Sequence, residues 1–367
     1  MGMAMTEKQG GSDLRANISE AKPIDDGAYL LSGHKWFCSA PMSDAFFALA
    51  RTAAGITCFF VPRAASNGSS NPFMIQRLKD KCGNRSNASA EIEFAGTWAR
   101  RVGEDGRGIA TLIGMAHLTR FDIVVAAAGT MRTALMQALH HAAHRSVFGR
   151  RLSEQALMQN VLADLALEWE AALLLAFRVA RAFDRALEDE REQRFARIAT
   201  SAAKYWLCKR NPVFMAEAME CLGGNGYVEE HGLARLYREA PVNGIWEGSG
   251  DVICLDVLRA IARDPSSVAA ALEEIEEVAR EDARIASLSA DIARSLKSGA
   301  NLEGEARRLT ERLVLALQAS LMRRHAHPTH ADVFIAARLG GDGGHAFGTL
   351  PPGTPYRAIM EKAWSPA

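Results

Sequence analysis

The sequence predicts an α+β multidomain protein in which a small β-barrel or sandwich is followed by an α-helical bundle. Two observations carry this reading. Short alternating runs rich in aromatic and β-branched residues are confined to residues 28 to about 100, punctuated by Gly, Pro, Asn and Ser clusters. After Gly103-Glu-Asp-Gly-Arg-Gly108 the pattern changes to long apolar stripes of helical period.

Taken in order, Met5-Thr-Glu-Lys-Gln-Gly-Gly-Ser12-Asp13 is polar and Gly-rich and has the character of an interior loop. Strands are expected at Ala28-Tyr-Leu-Leu-Ser, His34-Lys-Trp-Phe, Ala45-Phe-Phe-Ala-Leu-Ala, Ile56-Thr-Cys-Phe-Phe-Val and Ala90-Glu-Ile-Glu-Phe, with a turn cluster from Ala65 to Pro72. Helices are expected through 109–144, 154–187, 192–221 and 251–263. Short loops at Phe148-Gly-Arg-Arg-Leu-Ser and Gly223-Gly-Asn-Gly separate them. Past Asp264-Pro265 an acidic run, Glu273 to Glu277, precedes Arg-rich helices bearing Arg280, Arg284, Arg307, Arg308, Arg312, Arg323 and Arg324. This divides the chain into domains at 1–103, 104–264 and 265–367. The Gly- and Pro-rich tail is expected to be loosely held.

The 367 residues are 48% hydrophobic and carry 43 Lys plus Arg against 43 Asp plus Glu, so attraction to nucleic acid or an acidic membrane would need a local patch. The six cysteines (Cys38, Cys58, Cys82, Cys208, Cys221, Cys254) form no C-x-x-C pair and have no His at metal-ligand spacing. They are read as buried reduced thiols, and no metal is expected. The opening residues lack an apolar signal region, and no run approaches the roughly 18 apolar residues needed to span a bilayer. A soluble, cytoplasmic protein is expected.

Chemistry is sought where helix and strand patterns break. Thr6 to Asp13 offers hydroxyls and small residues that let backbone N–H groups approach a flat or anionic ligand, though a solvated loop explains it alone. Trp36 ends an apolar strand and is followed by Ser39; the pair could stack on and bond an aromatic cofactor, although such a Trp is more often core. Arg145 with Phe148 at a helix end suits a pyrophosphate, but the helix dipole alone accounts for an Arg there. Gly223-Gly-Asn-Gly is a weak phosphate signal without a P-loop lysine. Glu247, between Trp246 and Gly248-Ser249-Gly-Asp251, is a candidate general base whose pKa burial against Trp246 would raise; a helix-start acid is the plainer reading.

In this order, the segments resemble the acyl-CoA dehydrogenase family, whose Thr-Glu-x-x-x-Gly-Ser-Asp, Lys-x-Trp, Arg-x-x-Phe-Gly, Leu-Gly-Gly-x-Gly-Tyr and Glu-Gly-(Ser/Thr) motifs occur at comparable separations. Leu78-Lys-Asp-Lys, Gly83-Asn-Arg-Ser-Asn-Ala, Thr119-Arg-Phe-Asp, Pro241-Val-Asn and Ile245-Trp-Glu-Gly-Ser-Gly resemble its AidB-like, alkylation-response branch in particular. The match is strong over residues 1–263. The resemblance implies FAD held by a middle β-domain and a C-terminal helical domain, usually in a homotetramer. By position, Met5, Thr6 and Ser12 would line the flavin and the start of the acyl-CoA site, with Trp36 and Ser39 near the ring. Arg145, Phe148, Gln155, Glu220, Gly223 and Gly224 would reach a neighbouring subunit's FAD. Ser249 and Asp251 would lie near the ribityl and phosphate groups. Arg120 and Trp246 would border the substrate, and Glu247 would take the α-proton of an acyl thioester while the β-hydride moves to the flavin. An electron-transfer flavoprotein would then receive the electrons.

Cys38 departs from the Ser or Thr usual in the family, Glu220 from Gln and Trp246 from Tyr; the last narrows the pocket toward a short branched acyl group such as isovaleryl. The family's N-terminal helical domain has no counterpart in these residues, so a truncated product or an upstream start is expected, with weak activity. Three functions follow: a flavin dehydrogenase, a flavin-containing DNA-binding protein of the alkylation-damage response, or a fragment that no longer binds flavin. Residues 280–338 hold ten Lys/Arg against seven Asp/Glu, which an ordinary solvated helix face explains as well as DNA does.

Overall fold

The computed structural model describes residues 1–25, 27–64, 68–299 and 301–364. The chain divides into two compact units, Met1–Leu118 and Thr119–Ala367.

The first unit is built on seven strands: β1 (Gly2–Ala4), β2 (Glu20–Asp25), β3 (Ala28–Ser39), β4 (Ala45–Thr52), β5 (Gly55–Pro62), β6 (Phe73–Leu78) and β7 (Ser89–Val102). Pairing runs β4-β2-β3-β7-β5, and β5 returns to β4, so five strands close on themselves while β1 lies parallel to β4 and β6 flanks β7. Of the two expected architectures, this is the barrel. Closure removes the open edges that an antiparallel sheet otherwise leaves. Its inward row holds Leu31, Phe46, Ala48, Phe59, Val61 and Ile92, all with no exposed surface.

Residues 28–39 form one strand where two were expected. Gly33 looks like a break, but it sits inside the ladder at φ +139°, where a Cβ would lie 2.5 Å from the Ser19 hydroxyl. Strand β2 escaped the pattern because Pro23 interrupts it. Proline is tolerated there because β2 ladders with β3 on one side and touches β4 at a single residue pair on the other. In the turn cluster, Ala65, Ser66 and Asn67 lie outside the described residues, whereas buried Asn71 bonds the Pro62 carbonyl and both backbone groups of Trp98.

Helix α1 (Gly108–His144) runs through the division between units. The second unit continues with a two-residue hairpin, β8 (Ser146–Val147) and β9 (Arg150–Arg151), then α2 (Ala156–Arg185), α3 (Glu190–Cys221), α4 (Gly224–Tyr227), α5 (Gly232–Glu239) and α6 (Gly250–Arg263). Helices α7 (Pro265–Ala279), α8 (Ala283–Ser298), α9 (Leu302–His325), α10 (Pro328–Arg338) and α11 (Tyr356–Trp364) complete it. By length and composition α1 could cross a membrane, contrary to the reading that no run is long enough, although one such helix is weak evidence. From Val124 onward one face of it, with Met131, Leu135 and Leu139, is buried in the helical core.

Residues beyond 264 share that core, so they are no separate body. Arg178 of α2 bonds both Glu192 of α3 and Glu274 of α7 at 2.7–2.9 Å, with all three side chains buried. Arg338 of α10 reaches Asp164 and Glu168 of α2, and Glu168 also accepts from Arg210 of α3. The tail is held, not loose: Gly348 N–H donates to Asp164 at 2.9 Å, Leu350 N–H to Asn160 at 3.1 Å, and Phe347, Leu350 and Ile359 are buried. The Gly and Pro content that suggested looseness shapes turns between these anchors.

All six cysteines are free thiols; Cys82 is exposed, which corrects the reading of six buried ones. Burial pushes the Cys38, Cys208 and Cys221 thiols up to about 12.

Candidate active and cofactor sites

In the barrel unit, the polar loop expected to meet a cofactor is pinned from inside. Lys35 Nζ donates to Glu7 Oε1 and to the Leu49 carbonyl, both at 2.6 Å, and Glu7 also accepts from the N–H groups of Ile18 and Ser19. Burial opposes ionisation of Glu7, but the Lys35 charge and these bonds outweigh it and hold the carboxyl at about 2. Neither residue was singled out from sequence. Both stand inside quoted motifs, and a lysine on the inward side of an apolar strand demands a carboxylate.

This anchor fixes Thr6, whose carbonyl accepts from Trp36 N–H at 2.8 Å and which bridges to Phe37. Thr6, Trp36 and Ser39 are half-buried, and Ser39 pairs with Ser89 three residues further along β3, past a register shift. The Lys79 ammonium sits 3.2 Å from the Trp36 ring centroid and pairs with Glu91 at 2.6 Å, so one face of the indole is covered by a cation. Met5 packs its side chain toward Leu49, Ile56, Cys58 and Leu112, and its carbonyl accepts from Asn17 Nδ2 at 2.9 Å. Ser12 is exposed.

In the helical unit the expected residues form two groups. Arg145, Glu220, Gly223 and Gly224 line one cavity of about 360 Å³, with His141, Leu152 and Met158. Burial and the positive charge of Arg145 both lower the His141 pKa. Phe148 and Gly149 make the tip of the β8–β9 hairpin with φ of +55° and +77°. Gln155 supports the hairpin by donating to the Val147 carbonyl at 2.9 Å. The Phe148 ring is 94% exposed, an outward projection from a strained position that core packing does not explain.

The second group surrounds Glu247, a half-buried residue in the turn before α6 with φ +55°. Arg120 Nε donates to the Glu247 carbonyl at 3.0 Å, and its Nη1 pairs with Asp256. Asp256 also takes both Nη groups of Arg197 and the Ser201 hydroxyl. Burial disfavours its charge, but Arg197 and Arg120 prevail and keep its pKa below the ordinary value. Arg120 thus holds the Glu247 backbone. Trp246 donates its indole N–H to Asn243 at 3.0 Å. Asp251 is committed to Arg307 at 2.7 Å, while Ser249 starts α6 with no side-chain cap bond. Lys204, missed from sequence among the apolar positions of α3, is buried and donates to the Trp246 and Gly248 carbonyls.

These surfaces fit a dinucleotide cofactor. A Cβ built on Gly223 or Gly224 meets nothing within 4 Å, so the cavity floor is bare backbone. Beside it, the Arg145 guanidinium has no carboxylate partner among the described residues. An open glycine ledge next to an uncompensated cation suits a phosphate.

The model of the acyl-CoA dehydrogenase middle domain matches residues 2–97, and that of the acyl-CoA dehydrogenase C-terminal domain matches residues 106–262. The chain belongs to the acyl-CoA dehydrogenase family. It is 45% identical to AidB of Escherichia coli (strain K12) over 344 residues, 94% of this chain and 63% of that protein. A crystal structure of Caenorhabditis elegans ACDH-11 in complex with C11-CoA superposes with a TM-score of 0.86 at 28% identity, covering 91% of this chain and 63% of that one. Isovaleryl-CoA dehydrogenase of Oryza sativa subsp. japonica is 28% identical over 259 residues, 68% of this chain and 60% of that protein. That shorter match is close to the span of the two domain models, whereas the AidB match extends into the helices beyond them. The chain spans about three fifths of the length of the relatives it matches.

Proposed function

We propose that this chain is an FAD-dependent oxidoreductase of acyl-CoA thioesters in which Glu247 is the base that removes the α-proton. The observation that carries the reading is the setting of Glu247: a carboxylate on a half-buried turn, in a backbone conformation that a glutamate rarely adopts and that three main-chain bonds maintain. Strain of this kind, kept by surrounding structure, is characteristic of functional positions. Bound FAD would supply the acceptor for the β-hydride. Thr6, Trp36 and Ser39 offer hydroxyls and an aromatic surface for the flavin end, and Arg145 with Gly223 and Gly224 offers a cation and bare amides for the phosphates of a second copy's cofactor. The C11-CoA complex of Caenorhabditis elegans ACDH-11 and the likeness to isovaleryl-CoA dehydrogenase support an acyl-CoA substrate. The half-buried Trp246, bonded to Asn243, supports a short branched acyl group.

The DNA-binding alternative finds less support. Arg284, Arg307, Arg312, Arg323 and Arg324 all face carboxylates within 4 Å, which leaves little of their charge for phosphates.

The test is Glu247→Gln, which preserves shape and removes the base. Protein loaded with FAD should lose flavin bleaching by isovaleryl-CoA or a longer acyl-CoA by about 100- to 10,000-fold while still holding FAD. Equal rates in the two proteins would refute the assignment.

A further inference from the structure

The turn that carries Glu247 is gripped through three successive carbonyls. Lys204 Nζ donates to Trp246 O at 2.9 Å and to Gly248 O at 2.5 Å, while Arg120 Nε donates to the intervening Glu247 O at 3.0 Å. Two consecutive residues, Glu247 and Gly248, have positive φ of 55° and 108°. This local shape sends the first and third carbonyls to one cation and the middle carbonyl to the other. Each cation is set by other elements. Arg120 is braced by Asp256 of α6, which Arg197 and Ser201 of α3 hold in turn. Lys204 belongs to α3 and is 1% exposed.

The composition of this grip is informative. A buried ammonium costs several kcal/mol unless it is paired, and a position that only needed filling would be met by Met or Leu at no such cost. Lys204 has no carboxylate within salt-bridge distance among the described residues. Its hydrogen bonds go to the turn, to the carbonyls on either side of Glu247. Meanwhile Glu247 occupies a left-handed conformation that costs a non-glycine residue of order 1 kcal/mol or more and reverts unless it is held.

We propose that Lys204 and Arg120 are positioning residues: together they lock the Trp246–Gly248 turn so that the Glu247 carboxylate is presented from one fixed point. The inference rests on Glu247 as the base, and it adds a device that nothing in the turn's own sequence supplies. Lys204 touches neither substrate nor reacting atoms in this account; it acts through the backbone of its neighbour.

The experiment compares the FAD-loaded wild-type chain with Lys204→Met, Arg120→Lys and Glu247→Gln. Amide hydrogen exchange is followed over peptides spanning residues 242–252, alongside flavin bleaching by acyl-CoA. Lys204→Met keeps the volume and removes both donors. Arg120→Lys keeps the charge opposite Asp256 and removes the Nε bond, which leaves a readable variant if the first does not fold. Both should retain FAD, and exchange in the 242–252 peptides should quicken at least about tenfold while the remaining helices exchange as before. The bleaching rate should fall roughly 10- to 100-fold with little change in the acyl-CoA concentration at half-saturation, as expected when a reacting group is displaced by about an ångström. Unchanged exchange at the turn in both variants overturns the grip whatever Glu247 does. Wild-type bleaching by Glu247→Gln overturns the base, and with it the catalytic purpose of the grip, while the exchange result still decides whether the lock exists.

Discussion

Lys35 and Glu7 meet at 2.6 Å inside the barrel with no side-chain surface exposed on either. The pair joins the middle of β3 to the loop that precedes it in sequence by 28 residues, and it is the reason Thr6 and Trp36 lie side by side. Removing one partner leaves a buried charge alone, which typically costs about 3–5 kcal/mol. Lys35→Met should therefore unfold at markedly lower urea than wild type, and Lys35→Met with Glu7→Leu should recover much of the loss. A single variant with the wild-type midpoint would mean the pair contributes nothing.

The same pair makes an acid-sensitive joint. The Glu7 pKa lies at about 2 in the folded chain against an ordinary 4.5. A depressed carboxylate stabilises the fold above its unfolded pKa and loses that contribution as pH falls toward the folded one. Stability measured from pH 5 down to pH 2 should drop, and Glu7→Gln should flatten the drop by up to about 3 kcal/mol, since each pKa unit corresponds to about 1.4 kcal/mol. Parallel curves for the two proteins would show that Glu7 is not the group responsible.

Phe148 should govern self-association. Its ring is 94% exposed at the hairpin tip, an unfavourable arrangement for an isolated chain and a natural anchor for a second copy. Aromatic anchors at interface centres commonly contribute about 2 kcal/mol or more, so if the chain self-associates through this tip, Phe148→Ser should weaken that association at least roughly 30-fold. Sedimentation velocity across a dilution series reads this directly. A wild-type chain that stays monomeric at high concentration would remove the argument.

What was legible in the sequence follows from where the signal was local. The helical stripes and most strands were readable because burial imposes a period on each segment by itself. The motif residues Thr6, Trp36, Arg145, Gly223 and Glu247 stood out because they interrupt those periods. What escaped was partnership at long range. Lys204 looked like one more position on a buried helix face, yet its partners are 42 and 44 residues away. The bond from Arg120 to the Glu247 backbone, 127 residues on, likewise has no trace in either segment. The boundary read near 265 lies beside the end of the C-terminal domain match at residue 262, and there Asp264 closes α6 and, as N-cap, opens α7 by accepting from Ser266 N–H at 3.0 Å. Proline after such a cap is a helix start, and the chain continues through the same core.

Lys204 offers a test of its own protonation. Burial pulls its pKa down, with Cys208 and Glu247 opposing and Arg120 adding to the effect, so that it titrates at about 8 against an ordinary 10.5. A depressed lysine is neutral in the folded chain while still protonated in the unfolded one between those values. The unfolded state then binds more protons, and stability contributed by this group rises with pH across that window. The buried thiols act in the opposite sense: Cys38, Cys208 and Cys221 stay protonated up to about 12 when folded, against an ordinary 9, so they erode stability as pH passes 9. The clean window is therefore pH 8 to 9. There the stability of wild type should gain about 1 kcal/mol relative to Lys204→Met, close to the maximum of 1.4 kcal/mol per pH unit for one proton. The measurement is urea unfolding of both proteins at pH 7, 8 and 9. A constant difference across the three would place the Lys204 pKa near that of a solvated lysine and would show that burial does not penalise its charge.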